Sequence, residues 1–202
     1  MLIEGSNSQE NIFNEKANFL QQSRFTRFDL TFPFFIAPMV GLSHVAFREL
    51  IKSYTPKNLH AIRFTEMLST RQIPNQKLDS SHMLKCAQNE SFFIPQLLGN
   101  EEKYIAPSIE KLMNKKPFGF DINMGCPVSH TLKHNWGVRL MGDIPYASEV
   151  VKVTKKHSPV PVSVKMRCGH DKNEDEQFLF SFTKALEQSG ADGVMIGREA
   201  YH

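Results

Sequence analysis

Cysteine is scarce in this 202-residue chain: there are three, Cys86, Cys126 and Cys168. No two stand at a CxxC spacing and an odd number cannot pair completely, so neither a disulfide framework nor a zinc knuckle is expected. No uninterrupted apolar run is long enough to span a bilayer, so no membrane association is expected. The first ten residues are polar and lack the charged-then-apolar order of an export signal. These absences point to a reducing, cytoplasmic setting and to no bound metal. An excess of one charge is missing too. The 24 Lys and Arg against 21 Asp and Glu leave a formal net charge of +3, which is compatible with a nucleic-acid partner without demanding one. What is present, 41% hydrophobic and 22% charged residues, is an ordinary globular composition with material for a sizeable core.

Along the chain, short apolar runs alternate with segments of helical periodicity. The runs are residues 34–37, 61–64, 92–98, 118–124, 162–166 and 193–197. A helix beginning near Ser43, as its N-cap, repeats Phe47, Leu50, Ile51 and Tyr54 at helical spacing. A helical piece is expected over 78–87. A further helix follows Asn100, its expected cap, with Glu101 and Glu102 in the first turn and Ile105, Ile109, Leu112 and Met113 facing inward. Residues 143–157 place Ala147, Val150, Val151 and Thr154 on one face, and 175–189 place Leu179, Phe182 and Leu186 on another, with Gly190 as C-cap. A short helix is also expected over 11–22. Strand–helix alternation of this kind means a parallel sheet with crossover helices. Six such units fall short of the eight that close an α/β barrel. The expected fold is therefore α/β, of the (β/α)8 TIM-barrel type but incomplete: residues 1–30 form an N-terminal extension and 31–202 the barrel-like domain.

The polar residues that interrupt this pattern fall at strand ends. Pro38 and Met39 end the first, Glu66 the second, Gln96 the third, Asn123 and Cys126 the fourth, Lys165 and Arg167 the fifth, and Arg198 the sixth. In a parallel α/β fold these ends share one rim, where ligands bind. The stretch 118–127, Phe-Gly-Phe-Asp-Ile-Asn-Met-Gly-Cys-Pro, is the most informative. A buried strand runs into a Gly/Pro turn that carries a side-chain amide and a thiol. Its bland alternative is a small buried cysteine before a turn proline. Lys165, inside an apolar strand, is costly to bury without an anion or an electron-rich ring beside it; its alternative is a lysine that reaches out to solvent. Gln96 offers both donor and acceptor to a heterocycle edge, or serves as a turn amide.

Five elements occur in order: Ala37-Pro-Met-Val-Gly41, Thr65-Glu-Met67, Pro95-Gln96, Asp121-Ile-Asn-Met-Gly-Cys-Pro127 and Val164-Lys-Met-Arg167. As an ordered set they resemble the FMN-dependent tRNA-dihydrouridine synthases. The resemblance is continuous over about 34–167 and implies an oxidoreductase acting on a CH–CH bond, the C5–C6 bond of uridine in tRNA. It implies FMN at the carboxyl rim and NADPH as reductant. Pro38, Met39 and Val40 would line the flavin, Gln96 would bond its ring edge, and Lys165 would lie by the ring and ribityl chain. Asn123 and Arg167 would bind the uracil, and Cys126 would be the general acid. Lys133, His134, Arg139 and the lysines at 152, 155 and 156 would hold tRNA phosphates, unless those last three only solvate a helix face. Ile196 stands where the family's sixth strand carries a histidine. The words Asp192-Gly-Val-Met-Ile-Gly-Arg198 look instead like the family's eighth strand, whose Gly-Arg helps bind the FMN phosphate. Gly197 and Arg198 are thus either phosphate ligands in a chain with intervening units deleted or rim residues of a sixth strand. The family's helical tRNA-binding domain has no counterpart before His202, so a truncated or partial copy is expected. A different flavin barrel reductase, or an inactive remnant with residual RNA or partner binding, are the alternatives.

Overall fold

The computed structural model describes residues 33–55, 60–79, 81–88, 90–169 and 176–197. The helix expected over 11–22 and the side chain of Arg198 lie outside them. Among the described residues six strands form one wholly parallel sheet in sequence order: β1 (Pro33–Ile36), β2 (His60–Ser69), β3 (Phe93–Leu98), β4 (Phe120–Met124), β5 (Val162–Met166) and β6 (Gly193–Ile196). Helices α1 (Val45–Tyr54), α2 (Glu102–Met113), α3 (Ser129–Lys133), α4 (Ile144–His157) and α5 (Glu176–Gln188) occupy the connections. The sheet curls as an incomplete (β/α)8 barrel. Phe35 of β1 and Val194, Met195 and Ile196 of β6 line one concave apolar cavity of ≈ 290 Å³ together with Ile62, Phe64 and Ile94.

Strand alternation separates two faces. On the convex face Leu97, Ile122, Val164 and Met166 pack against Ile105 and Ile109 of α2, Val150 and Val151 of α4, and Phe182 of α5, forming the main core. The concave face is apolar where it lines that cavity and turns polar along Gln96, Asp121 and Ser163 and then, toward the strands' carboxyl ends, Asn123 and Lys165. The inward faces expected of α2 and α4 are the observed ones: Ile105, Ile109 and Leu112, and Ala147, Val150, Val151 and Thr154, are all buried.

Several local expectations are corrected. Residues 78–79 and 81–87 form no helix: 78–79 and 82–84 are turns, Asp79 and Ser81 favour local side-chain-to-backbone closure, and Ser81 O takes the N–H of Leu84 and Lys85. The N-cap of α1 is His44, not Ser43, whose hydroxyl instead accepts the N–H of Met39 at 2.8 Å. Asn100 does not cap α2, for Glu101 occupies that position and no side chain caps it. The apolar spacing of α1 also fails to mark its buried face. Leu50 is 51% and Tyr54 81% exposed, while Arg48 is 1% exposed. The guanidinium is held by Glu90, Nε to Oε1 at 2.7 Å and Nη2 to Oε2 at 3.0 Å, and by the carbonyls of Ser43 and Lys85. Every donor of that arginine that faces the interior finds an acceptor, which is what permits its burial.

Candidate active site

The site starts from one register. Gln96 of β3 stands opposite Asp121 of β4, Asp121 opposite Ser163 of β5, and Asn123 opposite Lys165. Side chains two residues apart on β4 share a face, so Asp121 and Asn123 both project into the concave side. Ser163 Oγ donates to Asp121 Oδ1 at 2.6 Å, and Gln96 Nε2 donates to Asp121 Oδ2 at 2.7 Å. Asn123 Nδ2 donates to Gln96 Oε1 at 2.9 Å. Asn123 Oδ1 in turn accepts the backbone N–H of Cys126 at 2.9 Å and of Gly125 at 3.2 Å. Asp121 is fully buried, and that burial pushes its carboxyl up to about 6, against the opposing pull of the Ser163 and Gln96 hydrogen bonds and the Lys165 charge.

Cys126 is half-buried just past β4 and is a free thiol. Its carbonyl accepts from Val138 N at 3.0 Å and Thr131 Oγ1 at 3.3 Å. Gly137, at φ +62, passes so close that a Cβ there would lie 2.4 Å from that carbonyl oxygen. Only glycine gives both the left-handed backbone and the clearance. Arg167 Nε donates to the carbonyl of Gly125 at 2.8 Å. The thiol loop is thus pinned from three sides: the Asn123 amide, the 131–138 segment and Arg167.

Lys165 reaches the end of β6, where a Cβ on Gly197 would come within 3.3 Å of its Nζ. The missing side chain at 197 leaves that space to the ammonium group. Across the concave face the turn after β1, with Pro38, Met39 and Val40, is tied down by Gly41, whose N–H donates to Glu66 Oε2 at 2.8 Å. Met39 and Val40 are exposed there.

Beside Cys126 the rim carries a cluster of rings and cations. Arg71 lies over Trp136 at 5.0 Å and Tyr104 at 5.5 Å and pairs with Glu101. His134 stacks near Trp136 at 4.7 Å, and Trp136 Nε1 donates to Asn100 Oδ1 at 2.8 Å. Lys155 and Lys156, at the end of α4, are each paired with a carboxylate: Lys155 with Asp192, the residue before β6, at 2.5 Å, and Lys156 with Glu102, in the first turn of α2, at 2.9 Å. Two participants escaped the sequence reading, Asp121 and Arg71. A carboxylate inside an apolar strand, two residues before Asn123, is the signal that could have found the first.

Among the described residues no group of three or more His, Cys, Asp or Glu is placed to hold a metal ion, and no helix is long and apolar enough to cross a membrane.

Fold and site define a class: a parallel β/α barrel-type protein with a backbone-braced thiol and a chain of amides at its carboxyl rim. A family model described as dihydrouridine synthase matches residues 35–198, and the chain belongs to that family. It is 29% identical to "Probable tRNA-dihydrouridine synthase 1" of Synechocystis, a similarity covering 79% of this chain and 43% of the relative. It is 32% identical to "Probable tRNA-dihydrouridine synthase" of Rhizobium leguminosarum over 68% of this chain and 42% of the relative. The chain thus spans less than half the length of these two relatives. Similarity to "Probable tRNA-dihydrouridine synthase" of Rickettsia typhi, 29% identical over 222 residues, takes in 82% of this chain and 66% of that protein. Since 82% of 202 residues is about 166, about 56 aligned positions of the Rickettsia protein have no counterpart here.

Proposed function

We propose that this chain carries the flavin- and uridine-facing wall of a tRNA-dihydrouridine synthase, with Cys126 as the general acid. The observation that carries the reading is the brace on Cys126: two backbone N–H groups on the Asn123 amide, at the rim where the Gln96 and Lys165 strands also end. A thiol that only filled space would not need its loop held from three directions.

The residues present fit FMN. The interior amide of Gln96 keeps one N–H and one lone pair beyond its bonds to Asp121 and Asn123. The ammonium of Lys165 sits beside a glycine that leaves it room. Pro38, Met39 and Val40 would line the ring system, Gln96 its polar edge, Lys165 the ring and ribityl chain, and Gly197 and Arg198 the phosphate. When bound, and reduced by NADPH, FMN would supply hydride to C6 of the uracil. The roughly 56 aligned positions of the Rickettsia relative without a counterpart here add up to about two β/α units at roughly 30 residues each. That supports assigning Gly197 and Arg198 to the family's eighth strand, joined here to the fifth unit with the units between them missing.

The protein's own residues then act as follows. A uridine stacked inside folded tRNA must be turned out to reach the rim. The second N–H of Asn123 and the terminal N–H groups of Arg167 orient its carbonyl oxygens. Once C6 has gained hydride, the electron pair of the C5–C6 double bond resides on C5 and O4. Cys126 Sγ–H gives its proton to C5, and the thiolate recovers a proton from water. The product differs from the substrate by two hydrogens. Rim residues such as Lys133, His134 and Arg139 meet backbone phosphates.

The test is to add FMN, NADPH and an unmodified tRNA transcript to the purified chain and to measure dihydrouridine by mass spectrometry, with the flavin spectrum recorded in parallel. A bound-flavin spectrum with dihydrouridine in the transcript is expected. Bound flavin with reduction of free uracil but not of tRNA would overturn the substrate assignment.

A further inference from the structure

We propose that Asp121 is a positioning residue for Cys126: as the acceptor at the buried end of a hydrogen-bond chain, it sets the orientation of the Gln96 and Asn123 amides and so presents the Asn123 carbonyl oxygen to the N–H groups of Gly125 and Cys126. The catalytic consequence rests on the role of Cys126 proposed above; the positioning itself does not.

The argument is one of polarity. An amide side chain has a donor end and an acceptor end, so fixing one end fixes the other. Gln96 gives its Nε2 to Asp121 Oδ2 at 2.7 Å, and its Oε1 must then face Asn123. Asn123 gives its Nδ2 to that oxygen at 2.9 Å, and its Oδ1 must then face the 125–126 backbone. There it meets two donors and no acceptor. Reversing either amide would set acceptor against acceptor on its Asp121 side and donor against donor on its Cys126 side, inside a protein, where an unmade hydrogen bond costs about 1–3 kcal/mol for each group left unsatisfied. The two amides do not themselves forbid the reversal. Gln96 and Asn123 are neutral and nearly symmetric in shape, and the Gly125 and Cys126 amides can only donate. The direction is therefore imposed at the two ends, one by the thiol loop and the other by Asp121. The remaining oxygen of Asp121 is occupied by Ser163 Oγ at 2.6 Å, which holds the carboxyl plane in place. The charged group facing Asp121 is Lys165, from β5.

The chain also explains why a carboxyl is buried here at all. Aspartate presents acceptors to both neighbours, and Ser163 and Gln96 both arrive as donors. Asparagine at 121 can satisfy the same two neighbours, with its oxygen toward Gln96 and its Nδ2 toward the serine hydroxyl, which can accept as well as donate. Leucine, of similar size, can satisfy neither.

The test reads the Cys126 loop directly and needs no cofactor or substrate. Backbone amide exchange at Gly125 and Cys126 is followed by NMR, with the rate of Cys126 alkylation resolved by peptide mass spectrometry. Asp121→Leu is expected to speed amide exchange at both positions at least tenfold and to change the alkylation rate. Asp121→Asn is expected to leave both within about twofold. Gln96→Met, which cuts the chain in its middle while keeping the shape, is expected to reproduce the effect of Asp121→Leu, and the two together should be no worse than either alone. Folded Asp121→Leu protein with wild-type exchange at 125 and 126 overturns the proposal, as does an Asp121→Asn effect as large as that of leucine. Where Asp121→Leu does not fold, Gln96→Met decides: unchanged exchange at Cys126 overturns it. Undiminished dihydrouridine formation despite a loosened loop would count against the catalytic role of Cys126, not against the chain of amides.

Discussion

Cys126 is oriented through its backbone: its N–H, its carbonyl and the carbonyl of the residue before it are each engaged. Gly137 is part of that grip, and Gly137→Ala would force a Cβ to 2.4 Å from the Cys126 carbonyl at a positive φ. A loss of about 1–3 kcal/mol is expected, read as a lower urea midpoint with an unchanged slope. Asp121 gives a pH signature. Its folded-state pKa, about 6, lies above its ordinary value of 3.8, so the carboxyl binds its proton more tightly in the fold. Stability therefore falls as pH rises from about 4 to about 6, and this cost is fully present at neutral pH, on the order of 3 kcal/mol. Asp121→Asn should abolish that descending limb when urea stability is compared at pH 4.5 and pH 7. At this scale Asn123 and Cys126 were legible because a thiol and an amide at a strand's carboxyl end are chemically conspicuous. Asp121 was not, because its significance depends on Gln96 and Ser163 arriving from two other strands.

The elements were legible where their faces are decided by burial alone. Ala147, Val150, Val151 and Thr154 of α4 face the sheet as their spacing implies, because that helix lies wholly against it. α1 misleads for the opposite reason. Its leading contact is the Arg48–Glu90 pair, made between residues 42 apart, and hydrophobic spacing carries no information about such a bond. With side chains 1% and 0% exposed, this pair cannot be broken one side at a time without leaving a charge buried. Glu90→Leu is expected to cost about 3–5 kcal/mol, measured by chemical denaturation, and adding Arg48→Met should restore most of it. The basic end of α4 shows the same limit. Charge alone suggested phosphate contacts, whereas Lys155 and Lys156 pair with Asp192 and Glu102, carboxylates 37 and 54 residues away that spacing does not reveal.

Over the whole molecule, strand–helix alternation made the parallel architecture readable, and six units made its incompleteness readable. The described sheet leaves β1 and β6 as edges, with Val194 of β6 44% exposed, and Phe180 of α5, the helix that leads into β6, is 68% exposed. Apolar edges of this kind invite self-association, so Val194→Lys with Phe180→Lys should lower the apparent mass seen by light scattering at high concentration. Trp136 is the sole tryptophan and sits in the rim cluster next to Arg71 and His134, so tRNA binding should change its emission and weaken with added salt. The claim on which the rest depends is that Cys126 delivers a proton to a uracil held at this rim. The most direct measurement is dihydrouridine formation in tRNA by the FMN-loaded Cys126→Ala protein beside the wild type, with bound flavin quantified in both. Equal flavin and at least a hundredfold less dihydrouridine in the variant is the predicted result; equal flavin and equal dihydrouridine would contradict the account.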